Sequence, residues 1–394
     1  MNGGSIVGCC ADDYGGGGVY VAGNSVFEMN DGATIIGCVT LRSVSYGGGV
    51  YIASGGTFIM NGGAIRDCKV FAFNGGGVCS YGQFDMNGGT IRDCLADSGS
   101  AIYHDSSDRL TLNGTIISDN SYGEHQPIFV QTRDEVPVII GADADIQANI
   151  YMSAVTLRSN GGVVRGDLHV NYSITITVDE GVSHGTIFYG KLTASRDYNI
   201  DCAAVTYKAN GEDYATQFLR SGAAATKLDD PTNDGYVFVG WFGGDTPYDF
   251  TSPVTGDITL IAKWAKLVDK TADFTAADGG AAAIALLNSA KTGAENSVWD
   301  NSTKTLTLKG VSMATTATTA VKLPDGAKVI LADGTENRII GGGAAVAQDR
   351  TYQSLIYIYG IYAAGKLTIK DETNGTGTLF VNSGDHINSG NARA

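Results

Sequence analysis

Apolar and polar residues alternate with a period of two in short phrases along the first third of the chain, and glycine or a polar turn closes each phrase. The phrases recur. F-x-M-N is found as FEMN at 27–30, FIMN at 58–61 and FDMN at 84–87, then as LTLN at 110–113. G-G-G-V is found as GGGVYV at 16–21, GGGVYI at 47–52 and GGGVCS at 75–80, then as SAIYH at 100–104. A third phrase runs from isoleucine to Cys38, Cys68 or Cys94, and opens the chain as MNGGSIVGC with Cys9. Copies lie about 23 to 31 residues apart, too close for a four-stranded propeller blade. Three short strands per repeat, each pairing with its copy in the next repeat, predict a right-handed parallel β-helix whose equivalent side chains stack.

This register predicts interior ladders. Phe27, Phe58, Phe84 and Leu110 form one, and Met29, Met60, Met86 and Leu112 another. Changes within each ladder keep the position apolar while altering shape, as core positions do. Cys9, Cys38, Cys68 and Cys94 share a third register, where the fifth copy has Asn120, the residue of a stacked asparagine bend. The cysteines read as a buried thiol stack, with disulfides between coils as the alternative; the total of seven is odd, and no C-x-x-C pair suggests a metal.

The repeat covers 1–120 clearly, and strand alternation with glycine turns continues to about 200, giving a first domain of 1–200. From 201 to 266 the composition becomes aromatic. Tyr236, Phe238, Trp241, Tyr248, Phe250 and Trp264 read as the core of one small module rather than as a ligand cage. The last stretch, 267–394, holds the one good helix candidate, DFTAADGGAAAIALLNSAKTG at 273–293, followed by strands that suggest a second, truncated β-helix-like segment. The fold class is therefore all-β.

FEMN, FIMN, FDMN and GGAI at 62–65 resemble the FxxN and GGA(I/L/V) repeats of polymorphic outer-membrane proteins and related bacterial surface adhesins. That resemblance implies a β-helical scaffold displayed outside the cell. DPTNDGYVFVGW, with YDFTSPVTGDITLIAKW, is similar to the Listeria–Bacteroides or internalin B-type repeat, which implies a β-grasp-like module of bacterial surface proteins. The final segment is loosely similar to β-helical ends of other gut-type bacterial surface proteins, some of them carbohydrate-binding.

Composition narrows the partners. Fifty-five glycines without a three-residue period point to a turn-rich β protein, and 43% hydrophobic residues to a folded one. A net charge of −15, from 26 basic and 41 acidic residues, argues against nucleic acid as a partner. No apolar run of about 18 residues is present, so no membrane insertion is expected. Met1 stands where a repeat methionine belongs; the chain is expected to have been cut within a repeat, its signal and anchor lost.

Candidate chemistry is sparse. GVSHG at 181–185 fits G-x-S-x-G, but ITITV precedes it and TIFYG follows, so Ser183 reads as a turn residue and not as a nucleophile elbow. DDPTNDG at 229–235 has Trp241 where a calcium loop needs glutamate, and reads as a turn. Asp67, Asp93 and Asp119 form an acidic column with Arg66 and Arg92 beside two of them, a charge-balanced turn ladder more than an acid pair. The five histidines, His104 among them, are scattered singly. Tyr20, Tyr51 and Tyr103, interrupted by Cys79, alternate with Val19, Val50 and Ile102 and so face outward in a stripe. Such a stripe binds a ligand or merely stabilises a strand face.

The function expected is non-catalytic: a secreted or cell-surface bacterial protein that adheres to glycans or to host or bacterial surface proteins, with no cofactor, catalytic residue or metal. The alternatives are a polysaccharide-processing β-helix enzyme, lyase or glycoside hydrolase, and a purely structural spacer.

Overall fold

A computed structural model describes all residues except 13–14, 42–45, 72, 119–125, 132–136, 154, 172–173, 195–198, 343–358, 373–374 and 383–394. Asp119, Asn120, His125 and His386 therefore lie outside the described residues. Two compact units are present, one made of residues 1–228 and 242–261, the other of 229–241 and 262–394.

The first unit is a parallel β-helix of eight coils among the described residues. Each coil gives one strand to each of three sheets. The first sheet begins Gly4–Val7, Ala33–Ile36, Ala64–Arg66 and reaches His184–Phe188 at the last coil; the second runs from Val19–Val21 to Leu192–Ala194; the third from Val26–Met29 to Asn199–Asp201. Strand neighbours pair in register, so like stacks on like. Phe27, Phe58, Phe84 and Leu110 are successive partners, as are Met29, Met60, Met86 and Leu112. A third column, Ile6, Ile35, Ile65, Ile91, Ile116 and Ile146, faces them from the first sheet. Apart from the first-coil residues Ile6 and Phe27, which are partly exposed, all of these are buried. Each such side chain contributes about 1.5–3 kcal/mol through burial.

The G-G-G-V phrase is a demand for space. Gly16, Gly47, Gly75 and Gly99 turn at φ between 63° and 76°, where a side chain is strained. The next glycine packs backbone on backbone: a Cβ on Gly76 would lie 2.5 Å from the Ser100 carbonyl oxygen and 2.6 Å from that of Leu95. Neither atom can yield without moving a coil. Gly76→Ala is accordingly expected to cost about 1–3 kcal/mol by overpacking; a urea midpoint equal to that of the parent would refute this.

A β-helix ends in an unpaired strand edge that has to be covered. Here a hairpin, Ala203–Ala209 with Glu212–Leu219, lies antiparallel along His184–Phe188 at the last coil, and residues 258–261 add alongside its first strand in parallel. Within this unit Tyr207 is buried and donates to the Thr226 carbonyl at 2.6 Å, and Tyr248 meets Phe250 edge-on at 5.0 Å, both half-buried.

The second unit also stacks parallel strands in three sheets. Ser312–Thr315, Glu336–Ile340 and Thr378–Asn382 form one, Ala272–Asp273, Thr319–Leu323 and Tyr359–Ala363 the next, and Thr305–Leu308, Lys328–Leu331 and Thr368–Asp371 the last. The helix Ala281–Ser289 lies within the 273–293 candidate, opened by Asp278, whose carboxylate accepts from the amides of Gly280 and Ala282. It buries Ala283 and Leu287. Phe238 packs edge-on against Trp241 and Trp264 at 5.4 and 5.6 Å. Tyr236, expected in the aromatic core, is 45% exposed instead.

Candidate binding face

Along the second sheet, Val19, Val50, Val78, Ile102, Ile128, Ile150 and Leu168 are paired in one column that points inward. Because successive side chains of a strand face opposite ways, the following residue of every strand points out. That outward column is Tyr20, Tyr51, Cys79, Tyr103, Phe129, Tyr151 and His169. Tyr20 stacks on Tyr51 at 5.3 Å, Tyr103 on Phe129 at 5.6 Å, and Tyr151 on His169 at 4.5 Å.

The gap at Cys79 is bridged from the same coil. Tyr81, just past the strand end, lies 5.9 Å from Tyr51 and 6.3 Å from Tyr103, and Tyr46 meets Tyr81 and Phe73 edge-on at 5.7 Å each. The result is a second, outer apolar layer. Cys79 is sealed beneath it, and Tyr103, expected to be exposed, is only 5% exposed, its hydroxyl donating to Gln131 Oε1 at 2.9 Å. Tyr103 faces outward as its register requires but is roofed by its neighbours, so it is not available to a ligand. Burial, and then the neighbouring Cys79, Tyr20 and Tyr46, pushes the Tyr51 hydroxyl up to about 12; burial first also raises Tyr81 and Tyr103. All three remain protonated donors at neutral pH.

Stacking decides what the stripe can offer. Rings that face one another along the coil axis present edges and hydroxyls to solvent. Tyr20 is 54% exposed and Tyr51 half-buried. Alternation in PIFV, IYM and LHV would have extended the stripe to Phe129, Tyr151 and His169 on the same logic as Tyr20. Tyr46, Phe73 and Tyr81 carry no such signal, because they stand at turns.

The other candidates resolve into backbone requirements. Asp67 and Asp93 have φ of 58° and 54°, the left-handed conformation that Gly8 and Gly37 adopt at the same bend. Aspartate tolerates it better than most residues, and each pairs with the preceding Arg66 or Arg92. Beside this bend Cys38, Cys68 and Cys94 are buried, Cys9 is exposed, and all seven cysteines are free thiols. An asparagine ladder exists, but on the last letter of F-x-M-N: Asn30 donates to Asn2, Asn61 to Asn30 and Asn87 to Asn61 through side-chain amides at 2.6, 2.9 and 3.0 Å. Ser183 Oγ lies 2.8 Å from His184 Nδ1 at an exposed turn between two strands, without the helix an elbow needs.

One carboxylate is nearly buried. Asp85, on the outer face of the third sheet, accepts from Arg109 Nε and Nη2 at 3.0 and 2.9 Å, from Thr111 at 2.8 Å and from Gln83. Burial alone would raise its pKa; these donors and the guanidinium charge hold it below the usual range. Among the described residues no group of three or more His, Cys, Asp or Glu side chains is placed to hold a metal, and no helix is long and apolar enough to cross a membrane.

Residues 204–263 match the Listeria-Bacteroides repeat domain, a repeat typical of bacterial surface proteins. No curated protein matches the chain.

Proposed function

We propose that this chain, as the carrier of a bacterial surface repeat, is a non-catalytic binding protein whose β-helix displays the aromatic stripe to carbohydrate outside the cell. The observation that carries the reading is the stripe itself: seven coils place an aromatic, or the Tyr81 that bridges Cys79, on one outer face, where the Tyr20 ring is exposed. An exposed ring face stacks on the apolar face of a sugar, and hydroxyl edges donate to its oxygens. Rigid stacking holds these groups in place before the ligand arrives, which lowers the ordering cost of binding.

The test is a glycan-array screen of the chain, its Tyr20→Ala variant and its Tyr103→Phe variant, with a reducing-sugar and unsaturated-product assay on each hit. Tyr20→Ala is expected to weaken binding about tenfold, equivalent to about 1.4 kcal/mol, and Tyr103→Phe to leave it unchanged. Glycan binding indifferent to Tyr20 would refute the proposed face, and product release would favour a polysaccharide-processing enzyme.

A further inference from the structure

The last coil of the first unit and the hairpin that covers it leave a cleft of about 640 Å³ between them, within the range of about 300–1,000 Å³ that small-molecule sites occupy. Four segments build it. Val178 and Glu180 follow the strand Ile174–Thr177, Ala203 opens the hairpin, Arg220 and Ser221 follow its second strand, and Thr255 comes just before residues 258–261. Hydrogen bonds join these segments: the Ala204 amide donates to Asp257 Oδ1 at 2.9 Å, that of Gly222 to the Val254 carbonyl at 2.6 Å and that of Arg220 to the Ser183 carbonyl at 3.4 Å. Glu180 rides on a turn closed by the Val182 amide on the Asp179 carbonyl at 3.1 Å, where Gly181 takes a φ of 87°. The cleft is therefore shaped before a ligand arrives, which lowers the ordering cost of binding.

Charge sets this cleft apart. Acidic residues outnumber basic ones in the chain, and the described arginines Arg66, Arg92, Arg109, Arg158, Arg165 and Arg338 each pair with a carboxylate. Arg220 is the exception. It is exposed, lines the cleft, and has no side-chain partner among the described residues. Glu180 lines the same cleft and is exposed and equally unpartnered among the described residues. Opposite charges that share a cleft without meeting leave room for a molecule that carries both complements.

We propose that this cleft binds a short zwitterionic peptide, its terminal carboxylate on Arg220 and its terminal ammonium on Glu180. A guanidinium offers a planar fork of donors that a carboxylate meets with two bonds, and a carboxylate accepts from an ammonium. The volume exceeds what one amino acid fills and suits two or three residues with small side chains, for which Val178 and Ala203 supply an apolar wall. The exposed hydroxyls of Ser221 and Thr255 serve the peptide groups between the two ends. Ser221 Oγ holds only a long bond of 3.5 Å to the Thr255 carbonyl, which a ligand carbonyl can replace. A ligand with one charge alone is disfavoured, because an anion meets Glu180 and a cation meets Arg220. None of these residues belongs to the aromatic stripe, so the two sites are tested separately.

The test is titration calorimetry of the full chain at low ionic strength, where exposed charges are least screened, with alanine, trialanine, N-acetyl-trialanine and trialanine amide. Trialanine is expected to bind, and removal of either end charge to weaken it about tenfold. Arg220→Gln, a change at an exposed position, should weaken trialanine by a similar factor and leave the weaker binding of the amide unchanged. Glu180→Gln should do the same toward the N-acetyl form, and this non-additivity assigns each charge to its own end of the ligand. Tyr20→Ala should bind trialanine as the parent does. Absence of trialanine binding at millimolar concentration, equal binding of its three forms, alanine bound as tightly as trialanine, or loss of binding in Tyr20→Ala would overturn the proposal.

Discussion

Phe58→Ala is expected to destabilise the β-helix by about 3–5 kcal/mol. Phe58 has no exposed surface and lies between Phe27 at 5.2 Å and Phe84 at 5.1 Å, the latter ring tilted by only 5°. Removing the ring takes away its transfer free energy and both stacking contacts, and the hole it leaves cannot close. Coil spacing is fixed by backbone bonds on every side, such as Thr57 to Ser25 at 2.9 Å and Gln83 to Gly56 at 3.0 Å. Phe27→Ala should cost distinctly less, because Phe27 sits in the first coil and is only partly buried. Urea unfolding of both variants checks this. A Phe58→Ala midpoint at or above that of Phe27→Ala would show that the ladder does not carry the core as described.

The Phe and Met ladders were legible because a period of two leaves no freedom: once Val19, Val50 and Ile102 are inside, the register of each coil follows. Direction was therefore readable, and cover was not. Tyr103 points outward as its alternation requires, yet Tyr81 and Phe129 lie against it, and Tyr81 reaches it from beyond a strand end where no periodicity applies. At the bend column, read as a thiol stack, Cys38, Cys68 and Cys94 are buried and Asn120 lies outside the described residues; an amide ladder with no counterpart in that reading runs through Asn30, Asn61 and Asn87, residues that close the F-x-M-N phrase. A side chain at a strand end can turn along the stack and bond its own copy, a geometry with no alternating signature. Asp67 and Asp93 read as a charge-balanced turn ladder more than as a site; their positive φ, shared with Gly8 and Gly37, adds that the backbone selects them. That Gly and Asp alternate at this position was visible in the sequence and is explained by conformation alone.

The stability of the first unit should fall as pH drops below about 6.5, with His104 the cause. His104 belongs to the inward column Val21, Ile52, Ser80, His104, Val130, Met152, and is 1% exposed. Its Nε2 lies 3.1 Å from the Asp108 carbonyl oxygen, to which it donates, and its buried Nδ1 has no hydrogen-bond partner. A second proton would place an unpaired charged donor in an apolar interior. Burial outweighs the favourable Asp108 carbonyl and charge, and depresses the pKa from 6.5 to about 4. The unfolded chain therefore binds a proton between pH 6.5 and 4 that the folded chain refuses. The sign follows: stability is unaffected above 6.5, declines by about 1.4 kcal/mol per pH unit below it, and has lost about 3 kcal/mol near pH 4. Carboxylates act in a separate window, since Asp85 and Asp273, with pKa values held below 3.8, withdraw their stabilisation only as pH falls through the carboxylate range. His104→Gln keeps a polar side chain and removes the titration. The measurement is unfolding free energy at pH 7 and pH 5 for both chains, with the parent expected to lose about 2 kcal/mol more than His104→Gln. Equal losses in the two chains would mean that His104 takes up its proton in the folded coil, with the orphaned Nδ1 finding an acceptor on protonation.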